Sequence, residues 1–235
     1  MGDGYIRHVG ATGGYLVALS FRENFRLEWF DPDAWGDHAV PVTQGGRGSA
    51  WFIRTDAEDL VLRHFCRGGI PGRFVRRGYV YTGADAVRSF AEFRLLNTLF
   101  RQGLPVPEPV AAGYSRRNQL FYHAAIIVRR IPQARPLSEF ASASCISTWR
   151  AAGACVRRFH QAGVFHADLN CMNILVADQV YLIDFDRGRM MPSGGGEDWK
   201  AANIGRLARS VNKLLRNLDA PLRDRLWQAF LEGYG

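Results

Sequence analysis

Lysine is almost missing from this chain. Of its 30 Lys and Arg residues only Lys200 and Lys213 are lysines, so any permanently charged side-chain cation needed within the first 199 residues has to be a guanidinium. Cysteine is scarce as well. Cys66, Cys145, Cys155 and Cys171 are scattered with no CxxC pair, and they indicate neither a zinc site nor a disulfide framework. Long apolar runs are absent, since none approaches the ~20 residues that span a bilayer, and no secretory leader pattern is visible. These absences predict a soluble chain with free thiols in a reducing cytoplasm. No aromatic-interleaved basic run and no helix-turn-helix pattern occurs, so nothing selects nucleic acid as a partner.

What is present is an apolar fraction of 47% with 12% aromatics across 235 residues, enough for one large core or two small lobes. The formal net charge is +8. Arginine forks match phosphate and carboxylate oxygens, so the excess predicts attraction to a polyanion such as a phosphorylated lipid or an anionic membrane face.

The most informative segment runs from His166 through Asp168 to Asn173, with Asp184, Phe185 and Asp186 following it. One carboxylate, then an amide five positions on, then a second carboxylate is the polar set that phosphoryl transfer needs. Asp168 is placed to accept a hydroxyl proton; Asn173 and Asp184 are candidate ligands for a metal that neutralises phosphate charge. The flanks suit the purpose. An amphipathic segment from Trp149 to His160 stops at Gly163, and Val164–Phe165, Ile174–Val176 and Val180–Ile183 read as short apolar strands around a turn at Asp178–Gln179.

Nearer the N-terminus, Gly45, Gly46 and Gly48 lead into an alternating strand, a turn over Asp56–Asp59 and a second strand over Leu60–Phe65. Glycines let backbone N–H groups approach phosphates, although a plain glycine-rich hairpin has the same pattern. Phosphoryl-transfer folds with such a loop place a lysine on the second strand, paired with a helix glutamate. Arg63 stands at that place here, with Arg67 or Arg73 as fallbacks, and Glu92 is the candidate partner on a predicted helix over 87–100 whose apolar face is Phe90, Phe93, Leu96 and Phe100. A strand over 121–130 ends at Ile131–Pro132, which reads as a hinge between an N-terminal lobe (1–130) and a C-terminal lobe (131–235). Trp199 to Arg216 is a basic helix with Ile204, Leu207, Val211, Leu214 and Leu215 on its apolar face.

Taken in order, Gly45–Phe52, Val61–Gly69, Phe90–Leu96, Gly103–Pro107, His166–Asn170 and Leu182–Arg189 resemble the 3-deoxy-D-manno-octulosonic acid (Kdo) kinases, the lipopolysaccharide-kinase branch of the protein-kinase-like superfamily. The resemblance covers most of the chain, and its last two segments are the most specific. It implies an α+β, bilobal protein-kinase-like fold with an antiparallel-sheet N-lobe and a mainly helical C-lobe. It further implies ATP and Mg²⁺, and transfer to the Kdo 4-hydroxyl of a lipid A precursor by a peripheral protein on the cytoplasmic face of a bacterial inner membrane. On that resemblance Asp168 is the catalytic base, and Asn173 with Asp184 the metal ligands. Gly45, Gly46, Gly48, Arg63 and Glu92 then serve the nucleotide. Two departures stand out. Asn170 replaces a lysine common in protein kinases, leaving Arg187 or Arg189 to meet the transferred phosphoryl group, and Asp186 replaces a glycine. Two other readings remain open: a phosphotransferase of aminoglycoside or choline type, and a non-catalytic nucleotide-binding scaffold.

Overall fold

A computed structural model describes residues 4–42, 49–66, 78–192 and 196–235. The chain divides into two units. The first is Met1–Asn97 with Glu108–Arg130, and the second is Thr98–Pro107 with Ile131–Gly235.

The first unit is built on strands β1 (Tyr5–Val9), β2 (Gly13–Ala18), β3 (Ala39–Pro41), β4 (Ala50–Arg54), β5 (Asp59–His64) and β6 (Tyr79–Val80). Helix α1 (Arg88–Arg101) follows, then β7 (Pro109–Arg116) and β8 (Phe121–Arg129). The eight strands make one sheet in the order β1-β2-β7-β8-β5-β4-β3, with β6 also paired to β8. The pairings are antiparallel. The β4–β5 turn is closed by Thr55: its N–H donates to the Glu58 carbonyl (2.9 Å) and its hydroxyl accepts from the Glu58 N–H (2.8 Å). That local threonine chemistry fixes a register in which Ala50 faces Arg63.

Period-two alternation sorts the side chains of β7. Tyr114 meets Phe90 of α1 edge-on (5.3 Å between centroids), whereas a Cβ added at Gly113 would strike the Phe30 ring at 2.5 Å. So α1 covers one face of the sheet, and the turns around Leu27–Phe30 cover the other.

Phe90, Phe93 and Leu96 are buried along α1 as the periodicity predicts, but Phe100 is 43% exposed and Leu99 is fully buried instead. The last turn, from Thr98, belongs to the second unit, where the Leu99 side is the packed one. Helix α1 then ends at Gly103 (φ 71°), with Gly103 N–H donating to the Phe100 carbonyl and Leu104 N–H to the Leu99 carbonyl, the paired bonds of a glycine-capped helix end.

The second unit contains β9 (Arg135–Pro136), α2 (Ile146–Gln161), β10 (Val164–Phe165), β11 (Ile174–Val176), β12 (Val180–Leu182), β13 (Arg189–Met190), α3 (Asp198–Leu214) and α4 (Ala220–Tyr234). Helices α2 and α4 cross at glycines: a Cβ at Gly153 would run into the Phe230 carbonyl, and one at Gly233 into the Arg150 carbonyl. The backbones meet where only hydrogen fits. On and just past α3, Leu207, Val211 and Leu215 are buried as expected, but Ile204 is only partly buried, Leu214 is 43% exposed and Asn203 is buried in the inward row.

Candidate active site

Arg63 and Glu92 meet within the first unit. Arg63 Nη2 donates to both carboxylate oxygens of Glu92, at 2.6 and 2.5 Å. The Glu92 side chain is only 3% exposed and that of Arg63 24%, so the pair is largely desolvated and the acid is held by charge-assisted bonds. The guanidinium also lies 4.7 Å from the centre of the Phe65 ring. Strand β5 supplies the arginine and α1 the acid, as the alternating strand and the helix periodicity predict. Gly45, Gly46, Gly48, Arg67 and Arg73 lie outside the described residues. A cavity of about 460 Å³ also opens in this unit, lined among others by His8, Tyr15, Phe30, His64 and His123. His64 and Gly113 both pair with Ala125, so they share the sheet face opposite Arg63, and neither Arg63 nor Glu92 lines the cavity.

In the second unit, residues 166–173 form a loop whose shape is set by its own hydrogen bonds. His166 is 2% exposed. Its Nδ1 accepts from the Asp168 N–H (3.2 Å), which leaves Nε2–H to donate to the Ile183 carbonyl at 2.9 Å. Burial pushes its pKa below the ordinary histidine value, so the neutral ring that this arrangement needs is the favoured one. Asn170 and Asn173 both donate side-chain N–H to the Asp168 carbonyl, at 2.9 and 3.0 Å. Asn170 Oδ1 in turn accepts from the N–H groups of Met172 (2.8 Å) and Asn173 (3.2 Å). The result is a tight asparagine-built turn that holds the Asp168 backbone while its side chain remains 60% exposed.

Asp184 is delivered by the β11–β12 hairpin. Ile183 N–H donates to the Asn173 carbonyl at 3.0 Å, bringing Asn173 and the residue before Asp184 together. Asp184 has φ 61°, a left-handed conformation that aspartate tolerates better than most residues. Phe185 is fully buried, stacked on Phe159 (5.8 Å) and tilted against His166 (4.7 Å), and it anchors the strand end. Of the two arginines considered for the phosphoryl group, Arg187 is exposed with φ 60°, and Arg189 lies over the Phe165 ring at 4.3 Å. Cys171 is buried, and burial raises its thiol pKa to about 11, so it is a packing residue with little thiolate.

The residues the sequence reading missed are on α3. Asn203 exchanges two hydrogen bonds with the His166 backbone (3.2 and 3.1 Å), Arg206 Nη1 reaches Asp168 Oδ1 at 3.2 Å, and Ser210 Oγ accepts from the Cys171 N–H at 3.1 Å. Their spacing of three and four residues was visible as a polar row on the helix, but nothing local marked the loop as its target.

The donors on offer are an amide oxygen and a carboxylate. Asn173 spends its amide N–H on Asp168, which leaves the amide oxygen for a cation. Among the described residues no group of three or more His, Cys, Asp or Glu side chains is arranged to hold a metal. A small oxygen set of this kind suits a hard cation that takes its remaining ligands from phosphates and water.

The profile of the lipopolysaccharide kinase (Kdo/WaaP) family matches residues 33–234. A 3-deoxy-D-manno-octulosonic acid kinase of Xanthomonas axonopodis pv. citri is 44% identical over 211 residues, 87% of this chain and 83% of the relative. One from Stenotrophomonas maltophilia is 46% identical over 208 residues, 86% of this chain and 82% of the relative. Among solved structures, WaaP in complex with acyl carrier protein superposes with a TM-score of 0.56 at 14% identity, covering 92% of this chain and 88% of that one, which shows a shared α+β kinase-like fold. With a family match from residue 33 to residue 234, the chain belongs to the lipopolysaccharide kinase (Kdo/WaaP) family.

Proposed function

We propose that this kinase transfers the γ-phosphoryl group of ATP to the 4-hydroxyl of Kdo on a lipid A precursor, with Mg²⁺ as the metal. The observation that carries the reading is the hydrogen-bonded loop that fixes Asp168 beside Asn173 and next to the strand end bearing Asp184, in a chain closely similar to Kdo kinases. Asp168 takes the proton from the sugar hydroxyl. The hydroxyl oxygen bonds to the γ-phosphorus, and the bond from that phosphorus to the bridging oxygen breaks, leaving ADP. Asn173 and Asp184 would hold Mg²⁺, which would neutralise charge on the phosphate oxygens. In the first unit, Arg63, oriented by Glu92, is assigned to the α- and β-phosphates in place of lysine. Asn170 has no charge to offer the phosphoryl group, since its amide is used on the loop backbone.

The exposed row Arg209, Lys213 and Arg216 on and just beyond α3 supports peripheral attachment to an anionic membrane surface. Among the described residues no helix is long and apolar enough to cross a membrane. The same basic row disfavours a cationic acceptor such as an aminoglycoside. Replacing Arg209 and Lys213 by Gln should weaken sedimentation with anionic liposomes by roughly tenfold or more, at ~1 kcal/mol per basic residue; unchanged sedimentation contradicts the attachment.

The deciding experiment follows labelled phosphate from ATP and Mg²⁺ to a Kdo-bearing lipid A precursor and to the same lipid lacking Kdo. Label on the Kdo-bearing lipid alone supports the reading. Label on neither, or equal label on both, overturns it.

A further inference from the structure

The three polar contacts of α3 with the 166–173 loop are not equivalent. Asn203 and Ser210 bind backbone groups of His166 and Cys171 and lock the helix to the loop. Arg206 lies between them in sequence and binds the carboxylate of Asp168 itself. That pair is open to solvent, with Arg206 48% and Asp168 60% exposed, and an ion pair of this exposure is worth only ~0.2–1 kcal/mol. It therefore does little for stability, and a competing anion can exchange into it at small cost. An arginine on the proposed base is also a poor arrangement for catalysis alone, because it holds the carboxylate that has to accept a proton. A guanidinium presents five donors, and a single bond to Asp168 leaves room on its fork for a second carboxylate.

Resting on the proposed reaction, the acceptor sugar is an acid whose 4-hydroxyl lies on the same ring as the carbon that bears its carboxylate. We infer that Arg206 is the specificity residue for the acceptor: it binds the Kdo carboxylate and so delivers the 4-hydroxyl, two ring carbons away, to Asp168. Without acceptor, Arg206 rests on Asp168. When acceptor binds, its fork shifts to the sugar carboxylate and the Asp168 oxygen becomes available to the hydroxyl proton. Asn203 and Ser210 keep the helix in place while this exchange happens.

The test compares wild-type enzyme, Arg206→Gln and Arg206→Lys on two acceptors. One is the Kdo-bearing lipid A precursor; the other is the same lipid with the Kdo carboxylate converted to a primary carboxamide. A charge-assisted bond of ~1.5–3 kcal/mol corresponds to a change of about ten- to a hundredfold. The wild type should show a KM for the carboxamide higher by that factor. Arg206→Gln should show the same rise on the natural acceptor, with little further loss on the carboxamide, and Arg206→Lys should recover part of it. The KM for ATP should stay within about twofold, because the nucleotide is not what Arg206 reads. Equal use of both acceptors by the wild type overturns the inference without any variant. So does an equal loss on both acceptors in Arg206→Gln, or a fall confined to kcat. A wild type that phosphorylates neither acceptor sinks the proposed reaction itself, an outcome distinct from the others.

Discussion

The two units hold their candidate site residues by opposite means. In the first, among the described residues, Arg63 and Glu92 are held together by a buried pair of full charges. In the second, Asp168 and Asn173 are fixed by neutral hydrogen bonds through His166, Asn170 and Asn203, and the Asp168 carboxylate stays in solvent. The difference teaches which substitutions each region tolerates. A charge pair needs a cation of adequate reach, so arginine can stand where lysine is usual. A hydrogen-bonded loop depends on the donor and acceptor at each position, so its asparagines and histidine have no obvious stand-ins.

The largest effect that would sharpen this contrast is expected from Asp184→Asn. On the proposed reading Asp184 is a metal ligand, and its loss removes several kcal/mol of charge stabilisation, so turnover should fall on the order of a thousandfold. A Mg²⁺ titration of turnover should shift to higher concentration, and an unshifted titration breaks the assignment.

Acid should act next, and on the second unit. Burial lowers the His160 pKa from 6.5 to about 4 and depresses that of His166 as well. Both rings bind a proton more readily in the unfolded chain. Their contribution to stability is therefore complete above the ordinary value of 6.5 and is lost as pH falls toward 4. For His160 alone the loss is on the order of 3 kcal/mol. The urea midpoint should drop between pH 7.5 and 5, and His160→Gln should flatten that slope. An equal slope in the variant contradicts the account.

A smaller loss, about 2–3 kcal/mol of stability, is expected from Glu92→Ala, which leaves the Arg63 guanidinium without its buried acid. Arg63→Lys should cost less than half as much, because an ammonium can still meet Glu92. Calorimetry on both variants checks this, and a larger cost for Arg63→Lys reverses the argument about which region tolerates substitution.

How much of this was legible in the sequence follows the same division between local and distant causes. The 166–173 loop, Asp184 and the Arg63–Glu92 pairing could be read because residue type and spacing carry them. Helix α4 was overlooked, although Asp219 caps it through the Leu222 N–H and Pro221 stands in its first turn. Its polar residues interrupt the apolar stripe, and what fixes it is the glycine crossing with α2, where Gly153 meets Phe230 and Gly233 meets Arg150 across a long separation in sequence. Phe100 was misassigned because helix periodicity does not show that the last turn, from Thr98, belongs to the second unit, where Leu99 is the buried residue. Arg206 was read only as surface charge, since its partner lies 38 residues away.

The central claim is that Asp168 does chemistry and does not bind nucleotide. Its most direct test measures ATP affinity and single-turnover phosphoryl transfer in Asp168→Asn beside the wild type. The account expects transfer to fall by ~10²–10⁴ with ATP affinity and melting temperature unchanged, because that side chain is exposed and Arg206 is its one ion-pair partner among the described residues. Transfer at the wild-type rate, or a loss of ATP binding in step with activity, would contradict it.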